Sequence, residues 1–245
     1  MSKEKEWFRL WEEKRDLLLC PTNLNEYFEK QAICGKNLEV MNIGKVSIPT
    51  GEIVVCDPLA YLNKKANPYF LKTPTGEFDV ELSVIKESDG DCARYASARV
   101  IFNNEKIARL EEALIGNEDL KKFQQGEYFG FNVDAGLASI IDKEVLNSLC
   151  DFEENFMKNN KIENMYDDYY AALFSKSYKE NPKHQRSGGD YISFKIPNTS
   201  FHVPYFQSGF GDGTYPVYFG LDKDDNVCAL FIQFIDIELA YGDEE

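Results

Sequence analysis

Histidine is nearly missing from this chain. His184 and His202 are the only two in 245 residues, so a three-histidine metal centre cannot be built. A centre of two histidines and a carboxylate would need both, and the sequence therefore predicts no metal site and no metal cofactor. Paired cysteines are missing too. Cys20, Cys34, Cys56, Cys92, Cys150 and Cys228 are scattered, and the closest two are 14 residues apart. Without a CxxC there is no zinc ribbon and no dithiol redox pair. Scattered cysteines of this kind are expected as small buried apolar residues. No apolar run approaches the roughly 20 residues that a membrane-spanning helix needs. The first segment, "MSKEKEWFRLWEEKRDLLLC", has no apolar stretch of signal-peptide type. The expectation is a cytoplasmic protein.

Positive charge is also in short supply. Lys and Arg total 27 against 42 Asp and Glu, for a formal net charge of −15. Such a surface repels phosphate backbones and anionic lipid, which argues against nucleic-acid and membrane partners. It attracts basic proteins and speeds their encounter. Apolar material, by contrast, is plentiful: 43% of residues are hydrophobic, including 18 Phe and 14 Tyr. That suffices for a sizeable core, and the length suits a single domain over 1–245.

Periodicity places the elements. Trp7, Leu10, Trp11, Leu17 and Leu18 recur near helical spacing, and Pro21 stops that run. "NLNEYFEKQAICG" reads as a second helix, capped by Asn23 and stopped by Gly35, so 1–35 is a helical extension. From Leu38 the period becomes two. "LEVMNIGKVSIPTGEIVVCDPL" gives two strands broken at Pro49-Thr50-Gly51. "GEFDVELSVIKESDGDCARYASARVIFNN" gives a hairpin turning at "SDGD". "EKIARLEEALIG" fits a short helix, "EYFGFNVD" a strand, and "DKEVLNSL" a helix capped by Asp142. Residues 151–189 read as a helical insertion followed by the loop "KENPKHQRSGGD". "YISFKI", "FHVPYFQSG", "YPVYFGLD" and "VCALFIQFIDI" return to strands, the last central and covered on both faces. The expected class is α+β: a mainly antiparallel sheet core, N-terminal helices, and helical matter inserted around 143–180.

Several motifs come close to a chemistry without reaching it. "SGFGDGTY" (Ser208–Tyr215) has no lysine after its last glycine and no following helix, and Asp212 sits where phosphate would. It reads as a glycine-permitted turn between two aromatic strands. Ser208, His202 and Asp212 could be written down as a triad, but the serine lacks a GxSxG elbow. "LDKDDNVC" begins like a calcium loop yet has Val227 and Gln233 at its sixth and twelfth positions. Lys176, Lys179, Lys183, His184 and Arg186 form a basic island, either solvated or a lid over an anion. Three aspartates stand at the ends of strand-like runs: Asp57 in "CDPL", Asp134 in "VDAG" and Asp212 in "GDG". Such carboxylates cap turns by accepting backbone N–H groups, and they can also bind a cation or move protons.

Three segments together, "GKVSIPTGEIVVCDPL", "FGFNVDAGLASIID" and "FQSGFGDGTYPVYFGLDKDDNVCALFIQFIDIE", resemble the bacterial family catalogued as domain of unknown function 4241. One position departs from its pattern, since Gln233-Phe234 stands where an aspartate-phenylalanine pair closes the last strand. The resemblance implies an α+β domain in a bacterial cytosol and no particular activity. It picks out Gly51, Asp57, Asp134, Gly136, Ser208, Gly209, Gly211, Asp212 and Gly213 as motif positions.

Two functional expectations follow. The first is an acidic, non-enzymatic binding module of the immunity or antitoxin kind that engages a basic protein partner. The alternative is an enzyme or a small-ligand or cation-binding protein, with a carboxylate pocket from Asp57, Asp134 and Asp212. Ser208, Gly211 and Gly213 would be the turn residues at that pocket.

Overall fold

The computed structural model describes residues 3–88 and 92–242. In chain order the elements are helix α1 (Lys3–Lys14), helix α2 (Glu26–Glu29), and strands β1 (Ala32–Ile33), β2 (Lys36–Ile48), β3 (Ile53–Cys56), β4 (Gly76–Ile85), β5 (Arg94–Ile101), β6 (Arg109–Glu112), β7 (Phe131–Val133) and β8 (Leu137–Asp142). Helices α3 (Lys143–Asn160) and α4 (Ala171–Glu180) follow, with a π-turn, Tyr166–Tyr170, leading into α4. The chain closes with strands β9 (Tyr191–Lys195), β10 (His202–Gln207), β11 (Gly213–Tyr215), β12 (Val217–Leu221) and β13 (Val227–Gln233), then helix α5 (Ile237–Tyr241). The class is α+β, as the sequence predicts. Every strand pairing is antiparallel. No helix of the described residues is long and apolar enough to cross a membrane.

The strands form a seven-stranded sheet in the order β1-β2-β4-β5-β13-β12-β6, a four-stranded sheet β3-β8-β10-β9, and a two-stranded pair β11-β7. Strand β2 belongs to the large sheet and packs across β8, β9 and β10 of the smaller one. A bulge between Asn42 and Lys45 bends it at that crossing. Two serines fasten the crossing: Ser193 Oγ accepts from Lys45 N, and Ser47 Oγ accepts from His202 N.

Side-chain alternation in the four-stranded sheet separates two cores. Ile53, Val55, Ala138, Ile140 and Phe206 face the large sheet. Their neighbours Val54, Cys56, Leu137, Ile141 and Tyr205 face α3 and α4, where Leu146, Leu149 and Phe174 meet them. Successive residues of a strand point to opposite faces, so a sheet buried on both sides is apolar at most positions. Each fully buried large apolar side chain stabilises the fold by about 1.5–3 kcal/mol. Strand β13 obeys the same rule, with all seven residues buried, as its composition predicts. A third, smaller cluster joins Trp7 and Leu18 of the N-terminal segment to Leu114, Leu120 and Phe123.

Two local expectations need correction. "EKIARLEEALIG" is no helix: it contains β6, an edge strand paired with β12. Leu110, Glu111 and Glu112 are all buried there, and long-range pairing outweighed a weak helical preference. Residues 23–35 hold only the single turn α2. Cys34 and Gly35, both at positive φ, then form the corner of a hairpin between β1 and β2. Asn23 caps no backbone group, its amide bonding the Glu26 side chain instead. The Ser208–Gly213 turn lies between two strands, as expected, but they are not partners. The strand before it, β10, pairs with β8 and β9, whereas β11 after it pairs with β7. The β4–β5 hairpin stands as expected, with residues 89–91 of its turn outside the described residues.

Candidate functional site

The three aspartate-bearing turns do meet, and the meeting is made by main chain. Asp57 is fully buried at the end of β3. Its Oδ1 accepts from Leu59 N at 2.9 Å and Ala60 N at 3.3 Å, closing its own turn. Its Oδ2 accepts from Asp134 N at 3.0 Å and Ala135 N at 2.6 Å, tying in the turn between β7 and β8. The Gly136 carbonyl of that turn then accepts from Ser208 N, and Ser208 Oγ donates to the Gly211 carbonyl at 2.8 Å. A Cβ placed on Gly136 would lie 3.9 Å from the Gly211 Cα, so the second and third turns touch through glycine. One buried carboxylate thus satisfies four backbone donors that would otherwise be stranded.

The other two carboxylates go elsewhere. Asp134 and Asp212 are exposed, as is Gly213 at the start of β11. Among the described residues no group of three or more His, Cys, Asp or Glu could hold a metal ion. Ser208 spends its hydroxyl on the Gly211 carbonyl, while His202 lies half-buried in β10. The Cys56 thiol is pushed up to about 12, by burial first and then by the charge of Asp57, so it is no nucleophile near neutral pH.

A second buried aspartate works as Asp57 does. Asp142 caps α3 by accepting from Glu144 N at 2.9 Å, as the sequence predicts. It also accepts from Thr50 N, Thr50 Oγ1 and Gly51 N at 2.9–3.0 Å. The "PTG" turn is therefore pinned to the start of α3. Gly51 sits at φ 76°, and a Cβ there would lie 2.3 Å from the Thr73 carbonyl oxygen, so only glycine fits.

Beside the Asp57 turn opens a cavity of about 880 Å³. Its wall includes Pro58 and Leu59, Ala135 of the neighbouring turn, Glu153 of α3, Gln207 of β10, and Arg186 from the loop after α4. Glu153 Oε1 accepts from the Tyr170 hydroxyl at 2.6 Å, and that hydroxyl receives the Tyr205 hydroxyl at 3.4 Å. Burial pushes the Glu153 carboxyl up. Glu153 Oε2 has no hydrogen-bond partner among the described residues. Glu163 and Asp190 add carboxylates, and Arg186 is the one cation on the wall. Its guanidinium is already committed to Asp190, at 2.8–2.9 Å.

Most of the basic island is paired with carboxylates in the same way. Lys183 pairs with Glu39, and His184 sits between Glu87 at 2.8 Å and Glu39 at 3.2 Å. Lys176 faces Glu180. The loop that carries these residues is thereby fastened to β2 and to the segment after β4. Sequence reasoning missed Glu153, although a signal was present. Val145, Leu146, Leu149 and Cys150 form the buried stripe of α3, and position 153 continues that stripe with a carboxylate.

A model of the family described as Protein of unknown function (DUF4241) matches residues 46–232, more than half of the chain. The chain belongs to that family. No curated protein and no solved structure matches it. The DUF4241 match takes in the three meeting turns, α3, α4 and the Glu153 cavity. It leaves out α1, α2, β1 and α5. The motif positions of this DUF4241 member are largely main-chain fasteners: Asp57 for its own and the Asp134 turn, Gly136 for Ser208, Gly51 for its approach to Thr73.

One further carboxylate gives a pH-dependent prediction. Glu112 of β6 is 4% exposed, and its value is pushed up to about 7 by burial, with Glu118 adding to the rise. A carboxyl that holds its proton more tightly when folded makes the native state lose stability as pH rises from the unfolded value towards the folded one. Glu112→Gln mimics the protonated form and keeps an acceptor for Phe129 N and Gly130 N. The variant is expected to match the native chain near pH 4.5. By pH 8 it should be more stable by up to about 3 kcal/mol, at about 1.4 kcal/mol per pH unit. Thermal melts of both proteins across that range check it.

Proposed function

We propose that this DUF4241 chain is an acidic binding protein for a basic protein partner, in the manner of immunity and antitoxin proteins. A lysine or arginine side chain of the partner enters the Glu153 cavity. The observation that carries this reading is the wall chemistry. Glu153 offers an unused oxygen, Glu163 lies nearby, and the only guanidinium is spent on Asp190. A cation there gains a charge-assisted hydrogen bond and favours the ionised form that burial disfavours. The net charge of −15 steers such a partner in and repels nucleic acid and anionic membrane. The setting is a bacterial cytoplasm, as the motif resemblance implies.

The alternative, a small-ligand or cation pocket of Asp57, Asp134 and Asp212, has weaker support. Asp57 already accepts four backbone N–H groups, and the other two carboxylates face solvent. A side-by-side pull-down from the native cell with the wild-type chain and Glu153→Gln tests the proposal. A basic protein should be recovered by the first and reduced about tenfold with the second, the weight of one charged hydrogen bond. Equal recovery by both, or recovery of no basic protein, overturns it.

A further inference from the structure

Strand β6 places two buried glutamates side by side and treats them oppositely. Glu111 is neutralised from within: Arg15 Nε and Nη2 reach it at 2.8–2.9 Å, Arg109 Nε at 3.2 Å, and Trp11 Nε1 at 3.0 Å. Glu112, pointing to the other face, has no cation. Its Oε1 accepts from Phe129 N at 2.7 Å and Gly130 N at 3.0 Å, and its Oε2 has no hydrogen-bond partner among the described residues. This residue lines a separate cavity of about 350 Å³ between β6, the Asp16–Pro21 segment and the 125–128 loop. Tyr218 of β12, 4% exposed, lines the same cavity, and among the described residues its hydroxyl has only the Cys20 thiol as a hydrogen-bonding neighbour. Asp16 and Glu127 stand at the rim, and no lysine, arginine or histidine is in the lining. Leu18 and the ring of Tyr128 supply apolar wall.

We propose that this cavity is a binding site for a small molecule carrying a primary ammonium group, with Glu112 Oε2 as its anchor and the Tyr218 hydroxyl as a second contact. A largely buried carboxylate with one oxygen open to a cavity and no cation beside it gains from a donor that completes it. The fold supplies that donor to Glu111 and withholds it from Glu112. An ammonium group has three donors, enough for Glu112 Oε2 and the Tyr218 oxygen together. Its apolar remainder fits against Leu18 and the tyrosine rings, where a cation also gains from the ring faces. This site is independent of the Glu153 cavity and of any protein partner.

Benzylammonium chloride, with benzyl alcohol as the neutral match in shape, is a suitable probe of the full chain by titration calorimetry. The native protein should bind benzylammonium at least about tenfold more tightly than benzyl alcohol, the value of a charged hydrogen bond. Glu112→Gln should abolish that preference, Tyr218→Phe should weaken it, and Glu180→Gln, at an exposed carboxylate of α4 away from both cavities, should leave it unchanged. Below about pH 7 the affinity should fall about tenfold per unit, as Glu112 takes up its proton; Glu112→Gln should show no such slope. Asp16, Glu127, Cys20, Tyr128 and Tyr218 are the other titratable groups on the cavity. Burial raises the Cys20 thiol to about 11, too high to produce a slope near neutral pH. Equal affinity for the two probes, no measurable binding of benzylammonium near pH 8, or survival of the preference in Glu112→Gln each overturns the assignment. None of these outcomes bears on the protein-partner reading, which rests on Glu153.

Discussion

Replacing Asp57 by alanine is expected to lower stability by about 4 kcal/mol, and melting by about 10 °C for a chain of this length. The reason is the number of donors left behind. Leu59 N, Ala60 N, Asp134 N and Ala135 N all point at one carboxylate that no solvent reaches. Each stranded donor in a buried setting costs about 1–3 kcal/mol, reduced where the turns relax towards water. Asparagine does not rescue the site. Each oxygen takes two N–H groups, so whichever one becomes an amide NH2 faces two donors with a third. Asp134→Ala and Asp212→Ala should by contrast stay within about 0.5 kcal/mol of the native chain, because those carboxylates are exposed. Chemical denaturation of the three variants separates a fastening role from a shared carboxylate pocket. Equal losses at all three positions would refute this account.

The second large effect belongs to Asp142. Its alanine variant should lose about 3 kcal/mol. The cap of α3 accounts for about 1 kcal/mol, and the abandoned Thr50 and Gly51 N–H groups account for the rest. Because Asp142 holds the turn between β2 and β3 against the start of α3, the damage should spread into that turn. Amide hydrogen exchange should show protection falling at Thr50 and Gly51 as well as in the first turn of α3. Loss confined to the helix start would mean that the turn is held by the Gly51–Thr73 contact instead.

Much of this architecture can be read along the chain wherever a signal is local. The "PTG" break, the Asp142 cap, the β4–β5 hairpin and the largely apolar β13 each follow from residue chemistry within about ten positions. The β6 error falls where a distant partner decides. "RLEE" in β6 is strand because β12 lies beside it and Arg15 and Arg109 neutralise Glu111. The Ser208–Gly213 turn looks like a hairpin corner from within, yet the strands on either side belong to different sheets.

The candidate sites divide in the same way. By itself, the sequence determined the antiparallel α+β class, the net charge of −15, the scarcity of histidine and of paired cysteine, and the place of Asp57, Asp134 and Asp212 beside turn residues. Composition, periodicity and turn chemistry act over short range, and these conclusions need nothing more. Only the tertiary structure decided what those aspartates do. It buried Asp57 among four N–H groups and left Asp134 and Asp212 in water. It also placed Glu153 and Glu112 on cavity walls, each with an oxygen free, although neither belongs to a recognisable motif. Whether a carboxylate fastens a turn or waits for a ligand depends on which distant groups fold against it, and spacing along the chain does not encode that.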